Sequence, residues 1–166
     1  MSASLLDHFR MMARYNARAN RILYEACAQL SDAERQQVRP AFFKSIHGTL
    51  NHILLGDRVW LARFEDRTMP ATSLDRILYE DFAELRSARE AEDRRLADFM
   101  YGLAEAFLDR TFRYVNHQGR DIVDEARVLL AHLFNHQTHH RGQVHDQLRQ
   151  AAVPPPSLDL HRVINP

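Results

Sequence analysis

The chain has little of what punctuates or staples a protein. Its one cysteine, Cys27, has no second thiol to pair with, so no internal disulfide exists and a reducing compartment is the expectation. Five glycines and six prolines break 166 residues, and three of the prolines sit together at Pro154 to Pro156. Long stretches without breakers favour helices. Net charge is absent too: Lys plus Arg balance Asp plus Glu at 22 each. No overall positive field draws the chain to nucleic acid or to an anionic membrane. No apolar run approaches the roughly 20 residues needed to span a bilayer. The first twenty residues carry Asp7 and several arginines inside their apolar pattern, unlike the apolar stretch of a secretory signal. Cytoplasm is the expected location, with a single domain over residues 1–166 large enough for one hydrophobic core.

What is present is helical periodicity. Steps of three and four residues give Leu5, Phe9, Met12, Asn16, Ala19, Leu23, Ala26 and Leu30, a first helix over about 4–30. Ser31 to Glu34 reads as a break or a short turn. A second helix over about 45–64 carries Ile46, Leu50, Ile53, Asp57, Trp60/Leu61 and Phe64. Met69 to Ser73 make the next loop, and a third helix spans about 74–106 with Leu78, Phe82, Leu85, Leu96, Phe99 and Leu103. The period then changes, and residues 111–122 around Gly119 read as a short hairpin or extended excursion. The last long helix, about 124–152, bears Ala126, Leu129/Leu130, Leu133, His140, Val144, Leu148 and Ala151 and stops at the prolines. The sum is an all-α protein, an up-down four-helix bundle, whose interior side chains are where such folds build metal sites.

Ten histidines are present, and His132, His136, His139 and His140 fall within nine positions. His136 and His140 lie one turn apart on one helix face, so both imidazoles reach a single ion. A third ligand has to come from another helix. His52, beside the stripe of the second helix and on the same side as Thr49, Gly56 and Arg63, is the best placed; His47, His132 and His139 are the alternatives. Three neutral imidazoles leave a divalent ion its full charge and an open position, which suits catalysis more than structure. Zinc, nickel, iron and copper all accept such ligands. The HExxH pattern of metalloproteases is absent.

Two polar residues interrupt the stripes. Buried, Asp57 needs a histidine, an arginine or Asn16 as its partner. Asp57 and Asn16 are candidates for orienting a ligand imidazole, though Asn16 equally suits a polar contact tying helices together. Arg141, directly after the histidine pair, is a candidate for holding an anionic substrate group. Cys27 flanks the first stripe and reads as an inert buried thiol.

The segments Ser45-Ile-His-Gly-Thr-Leu-Asn-His52 through Trp60-Leu-Ala-Arg63-Phe and Asn135-His136-Gln-Thr-His-His140-Arg-Gly-Gln-Val, with Tyr15-Asn16-x-x-Ala19-Asn20-Arg21, resemble the DinB family across nearly the whole chain. The resemblance implies a DinB/YfiT-like bundle, often a homodimer, with one metal on three histidines; the matching positions are His52, His136 and His140. Arg18 stands where that family's first helix usually has tryptophan. Relatives of the fold include thiol-dependent transferases and an isomerase that use low-molecular-weight thiols. The resemblance therefore implies a Lewis-acid metal, possible as zinc, nickel or iron, acting on a small electrophilic substrate with a thiol cosubstrate or water. The competing expectation is a non-catalytic metal-binding stress-response protein.

Overall fold

A computed structural model describes residues 4–68, 73–116, 118–151 and 153–165. Helix α1 (Leu5–Cys27) starts at a capping box in which the Asp7 amide donates to Ser4 Oγ at 3.2 Å and the Ser4 amide donates to Asp7 Oδ2 at 3.1 Å. Its first turn is rotated by one position from the predicted stripe: Leu6 is buried, whereas Leu5 is 44% exposed. A second capping box, Ser31 with Glu34, opens the short α2 (Asp32–Gln36) where the sequence suggested a break or turn. Ser45 caps α3 (Ile46–Phe64), accepting from the Gly48 amide at 3.0 Å.

The third long helix begins later than predicted. Helix α4 (Phe82–Gly102) is capped by Asp81, which accepts from the Glu84 amide. Residues 74–81 are not helical because α3 claims their backbone. Asn51 Oδ1 accepts from the amides of Leu78 and Tyr79 at 2.8 and 3.0 Å, and the Leu74 carbonyl bonds the His52 ring. Backbone groups satisfied in this way are lost to a helical ladder. At its other end α4 stops at Gly102, and a 3₁₀ turn over Glu105–Asp109 replaces the predicted extension. The loop expected over Met69 to Ser73 lies, apart from Ser73, outside the described residues, as do His117 in the hairpin turn and Ala152 at the predicted end of the last helix.

Strands β1 (Thr111–Val115) and β2 (Asp121–Glu125) pair antiparallel, Thr111 opposite Glu125 and Val115 opposite Asp121. They lead directly into α5 (Ala126–Gln150), so Asp124 and Glu125 end a strand instead of starting the helix. A final short helix, α6 (Leu160–Ile164), carries no sequence signal beyond Val163, which packs on Tyr15 and Ala19. Arg18 explains itself here. Its guanidinium donates to the carbonyls of Val163 and Ile164 at 3.2 and 2.6 Å and fastens the last turn of α6 onto α1.

The four long helices pack together as expected, and their directions run up, down, down, up. Helix α1 is antiparallel to α4: Arg10 reaches the carbonyl of Leu103 while Tyr24 stacks on Phe82. Helix α5 is antiparallel to α3, with Trp60 against His132 and Thr49 bonded to Gln147. Two apolar clusters result. One surrounds Phe9, Phe64, Leu96, Leu130 and Phe134 near the hairpin; the other surrounds Leu23, Ile53, Leu85 and Val144. Between them lies a buried polar layer. No helix among the described residues is long and apolar enough to cross a membrane.

Candidate metal centre

Helix α3 presents His52, and α5 presents His136 and His140 one turn apart. One ring nitrogen from each falls within 4.8 Å of the other two, and no other His, Cys, Asp or Glu among the described residues joins the group. His52 Nε2 lies 3.0 Å from His136 Nε2. The outer nitrogens fix two of the rings. His52 Nδ1–H donates to the Leu74 carbonyl at 2.8 Å, and His140 Nδ1–H donates to Gln143 Oε1 at 2.8 Å. Both rings therefore keep the Nε2 lone pair free, the arrangement that outer partners impose on ligating histidines. His136 differs: its Nδ1 is buried with no partner. Three imidazole nitrogens converging from two helices, two of them fixed as lone pairs, make a donor set that fits a cation.

The walls are as specific as the ligands. Phe43 stacks on His52 with ring centroids 3.8 Å apart and meets His140 edge-on at 5.5 Å. Its loop turns tightly through Lys44, at φ 64°, and passes so close to α3 that a Cβ on Gly48 would sit 2.4 Å from the Phe43 carbonyl oxygen. Across the site, a Cβ on Gly56 would lie 2.7 Å from His136 Cε1. Glycine at 56 is what lets the His136 ring lean on α3. A cleft of 430 Å³ opens beside Gln143, bounded by Phe42, His139, Asp146 and Gln147.

Burial, the main cause in each case, lowers all three imidazoles: His52 to about 4, His136 to about 3, and His140 below its usual range. The group is thus neutral, the ligating form, without having to release protons near pH 7. Lowered pKa values mean that protons compete with a metal only under acid conditions. Zinc affinity measured by calorimetry should begin to fall only at a pH below that of an ordinary histidine site. An ordinary histidine site loses affinity from about pH 6.5 downward, and that behaviour here would contradict the buried, neutral cluster.

Of the alternatives, His47 spends Nε2 on the Tyr79 carbonyl at 2.8 Å, His132 packs against Trp60, and exposed His139 lies beside Gln143. None is in the group. Asp57, Asn16 and Arg141 meet in the polar layer, and no hydrogen bond among the described residues links them to the three histidines. Asp57 pairs with Arg89 at 2.6 Å and accepts from Gln137 Nε2. Arg89 also pairs with Asp93 at 3.0 Å. Asn16 and Asn20 donate to Asp93 at 3.1 and 2.9 Å while accepting from Arg141. Arg141 is 2% exposed, which leaves it no opening to a substrate anion. The polar contact tying helices together, weighed for Asn16, is what the layer shows. Cys27 is buried, and burial pushes its thiol up to about 12, as an inert thiol requires.

Residues unforeseen from the sequence are Phe43, Gly48, Gln143 and the Leu74 carbonyl at the site, and Arg89, Asp93, Asn20 and Gln137 in the layer. Gly56 left a trace, four positions after His52 on the same side, while Asn20, Gly48, Gln137 and Gln143 stood in the quoted segments without a role. Against known proteins, the chain is similar to Protein DinB of Bacillus subtilis (strain 168), 28% identical over 146 residues and covering 82% of each. The DinB family profile matches residues 1–166. With the helical bundle, its hairpin and the three-histidine cluster already in place, that full-length match establishes that this chain belongs to the DinB family.

Proposed function

We propose that His52, His136 and His140 hold one divalent transition metal, and that the protein uses it on a small electrophilic substrate. The observation that carries this reading is the convergence of three neutral imidazoles whose outer nitrogens are tied to Leu74 and Gln143 while a buried His136 nitrogen lacks a partner. When bound, such an ion supplies Lewis acidity, enough to bring a coordinated water or thiol to a reactive form near neutral pH. The rest is the work of the chain. Leu74 and Gln143 hold two rings in one tautomer, and Phe43 covers the His52 face and keeps water from it. With no fourth protein ligand among the described residues, a coordination position is left for water, a low-molecular-weight thiol or the substrate. Thiol transfer or hydrolysis is the reaction class.

A second reading, metal binding without turnover in a stress response, draws on a different observation. No carboxylate or hydroxyl among the described residues hydrogen-bonds any of the three histidines, so none is tied to the site as an acid–base partner. Elemental analysis of untagged protein separates the possibilities first. About one equivalent of a transition metal per chain, lost in both His52→Ala and His136→Ala, is the expected result. A thiol-transfer and hydrolysis screen of the loaded protein then decides between the enzyme and the binder. Wild-type protein that takes up no zinc, nickel or iron would end both readings.

A further inference from the structure

The Trp60-x-x-Arg63 segment of α3 has no part in the metal centre, yet it continues the same side of the helix. Among the outer positions of α3, Gly56, Val59 and Arg63 are only partly buried, and they follow each other at helical spacing. Opposite them on α5 lie His136, partly buried, and His132, exposed. At the near end this row of side chains meets the histidine cluster at the Gly56–His136 approach. At the far end the Arg63 guanidinium carbon sits 4.6 Å from the ring centroid of Trp60 and 4.6 Å from that of Tyr114. His132 meets the other edge of Trp60 at 5.2 Å and stands 6.0 Å from His136, ring to ring. Contact is therefore continuous from Arg63 to the histidine cluster.

Arg63 is short of an anion. Among the described residues its guanidinium makes no hydrogen bond and no ion pair, and the one acidic group at this wall, Asp124, accepts from Tyr114 Oη at 2.8 Å. Burial draws its pKa down with only Tyr114 opposing, so the charge is half-desolvated and uncompensated. The buried Arg89 has two carboxylates, and Arg58 and Arg95, also partly buried, share Glu92. The two rings stand 80° apart, so the guanidinium sits in the corner they make, and its N–H groups, which no acceptor among the described residues takes up, are of the kind that donate to a carboxylate in parallel pairs.

We propose that Arg63, in the corner formed by Trp60 and Tyr114, is a carboxylate-binding subsite on the same side of α3 as His52. Its role as a specificity determinant rests on the metal-centre reading; the anion site itself does not. His52 and Arg63 are eleven positions apart, about 16 Å along the helix. The substrate class is consequently an elongated carboxylic acid, on the order of 10 Å or more from its carboxylate to its reacting group.

Trp60 is the only tryptophan, so its emission reports this site alone. The probe is hexanoate, with hexanamide as its uncharged counterpart and inorganic phosphate as a rival anion. Metal-free wild-type protein should show a saturable emission change with hexanoate, none with hexanamide, and weaker competition by phosphate. Arg63→Gln should weaken hexanoate binding about tenfold or more, the scale of a charge-assisted pair, and Arg63→Lys should restore part of it. Helicity by circular dichroism checks that both variants fold. Equal hexanoate affinity in Arg63→Gln and wild type overturns the proposal, as does an equal response to hexanamide or no saturable response. A response that appears only after zinc is added also overturns it, because the anion then sits on the metal. Persistence of the response in His136→Ala supports the subsite even where the metal reading fails.

Discussion

Alanine at Gly56 is expected to weaken metal uptake by the three-histidine cluster while leaving all three histidines in the chain. Two effects compete. Replacing glycine within a helix gains roughly 1 kcal/mol from backbone propensity. Against that, the new Cβ lands 2.7 Å from His136 Cε1, on a helix backbone that cannot retreat, and overpacking of this kind costs typically about 1–3 kcal/mol. The ring has to yield. It sits 4.4 Å from His140 and 5.0 Å from His52, centroid to centroid, so a ring pushed off α3 moves its nitrogen away from His52. Zinc affinity should fall by at least the roughly 10- to 100-fold seen when the outer partners of ligand histidines are removed. Calorimetric titration measures the affinity, and thermal melting of the metal-free protein measures the packing cost. Wild-type zinc binding by Gly56→Ala would show that His136 is not held where the structure places it.

The second large effect belongs to the polar layer. Removing one partner of a buried ion pair costs about 3–5 kcal/mol. For Asp57→Ala the lower end applies, because Arg89 keeps Asp93 at 3.0 Å. A loss near 3 kcal/mol lowers the melting temperature of a chain this size by roughly 6–12 °C. Asp57→Asn should cost less, and its cost should depend on pH. Burial raises the Asp57 carboxyl to about 6, with Arg89 opposing, above the unfolded value of 3.8. A raised carboxyl adds stability that is complete below about 3.8 and is lost as pH rises through about 6. The stability lead of wild type over Asp57→Asn should therefore be greater at pH 5 than at pH 8, as urea midpoints at the two values would show. An equal lead at both would mean that Asp57 is ionised throughout.

How much of this was readable from the residues follows from where each kind of information lies. Three- and four-residue periodicity records what is buried, so four helices and the hairpin between the last two were legible. Their limits were legible only where a side chain sets them, as at Ser4 and Ser45. The start of α4 was not, because Asn51 on a different helix holds the preceding backbone. The histidine trio was legible in part: helical spacing gave the pair on α5, and the side of α3 it shares gave His52. A carbonyl such as that of Leu74 has no residue signature, and Gln143 looks like any surface glutamine. Asp57 advertised a buried partner without naming it, since Arg89 is one of four arginines on its helix and nothing in the spacing marks it as the fully buried one.

The up, down, down, up threading also decides when these groups meet during synthesis. Helices α1 and α5, the first and last long elements, lie side by side, with Phe9 on Phe134 and Asn16 bonded to Arg141. At roughly 5–20 residues per second, several seconds pass between their emergence from the ribosome. Until then the nascent chain displays His52 alone, and Asn16 and Asn20 wait for the guanidinium that completes their layer. Neither apolar cluster can close without residues supplied by α5. Folding of this bundle is thus deferred until α5 has been made, and the three-histidine cluster comes into being only with that helix.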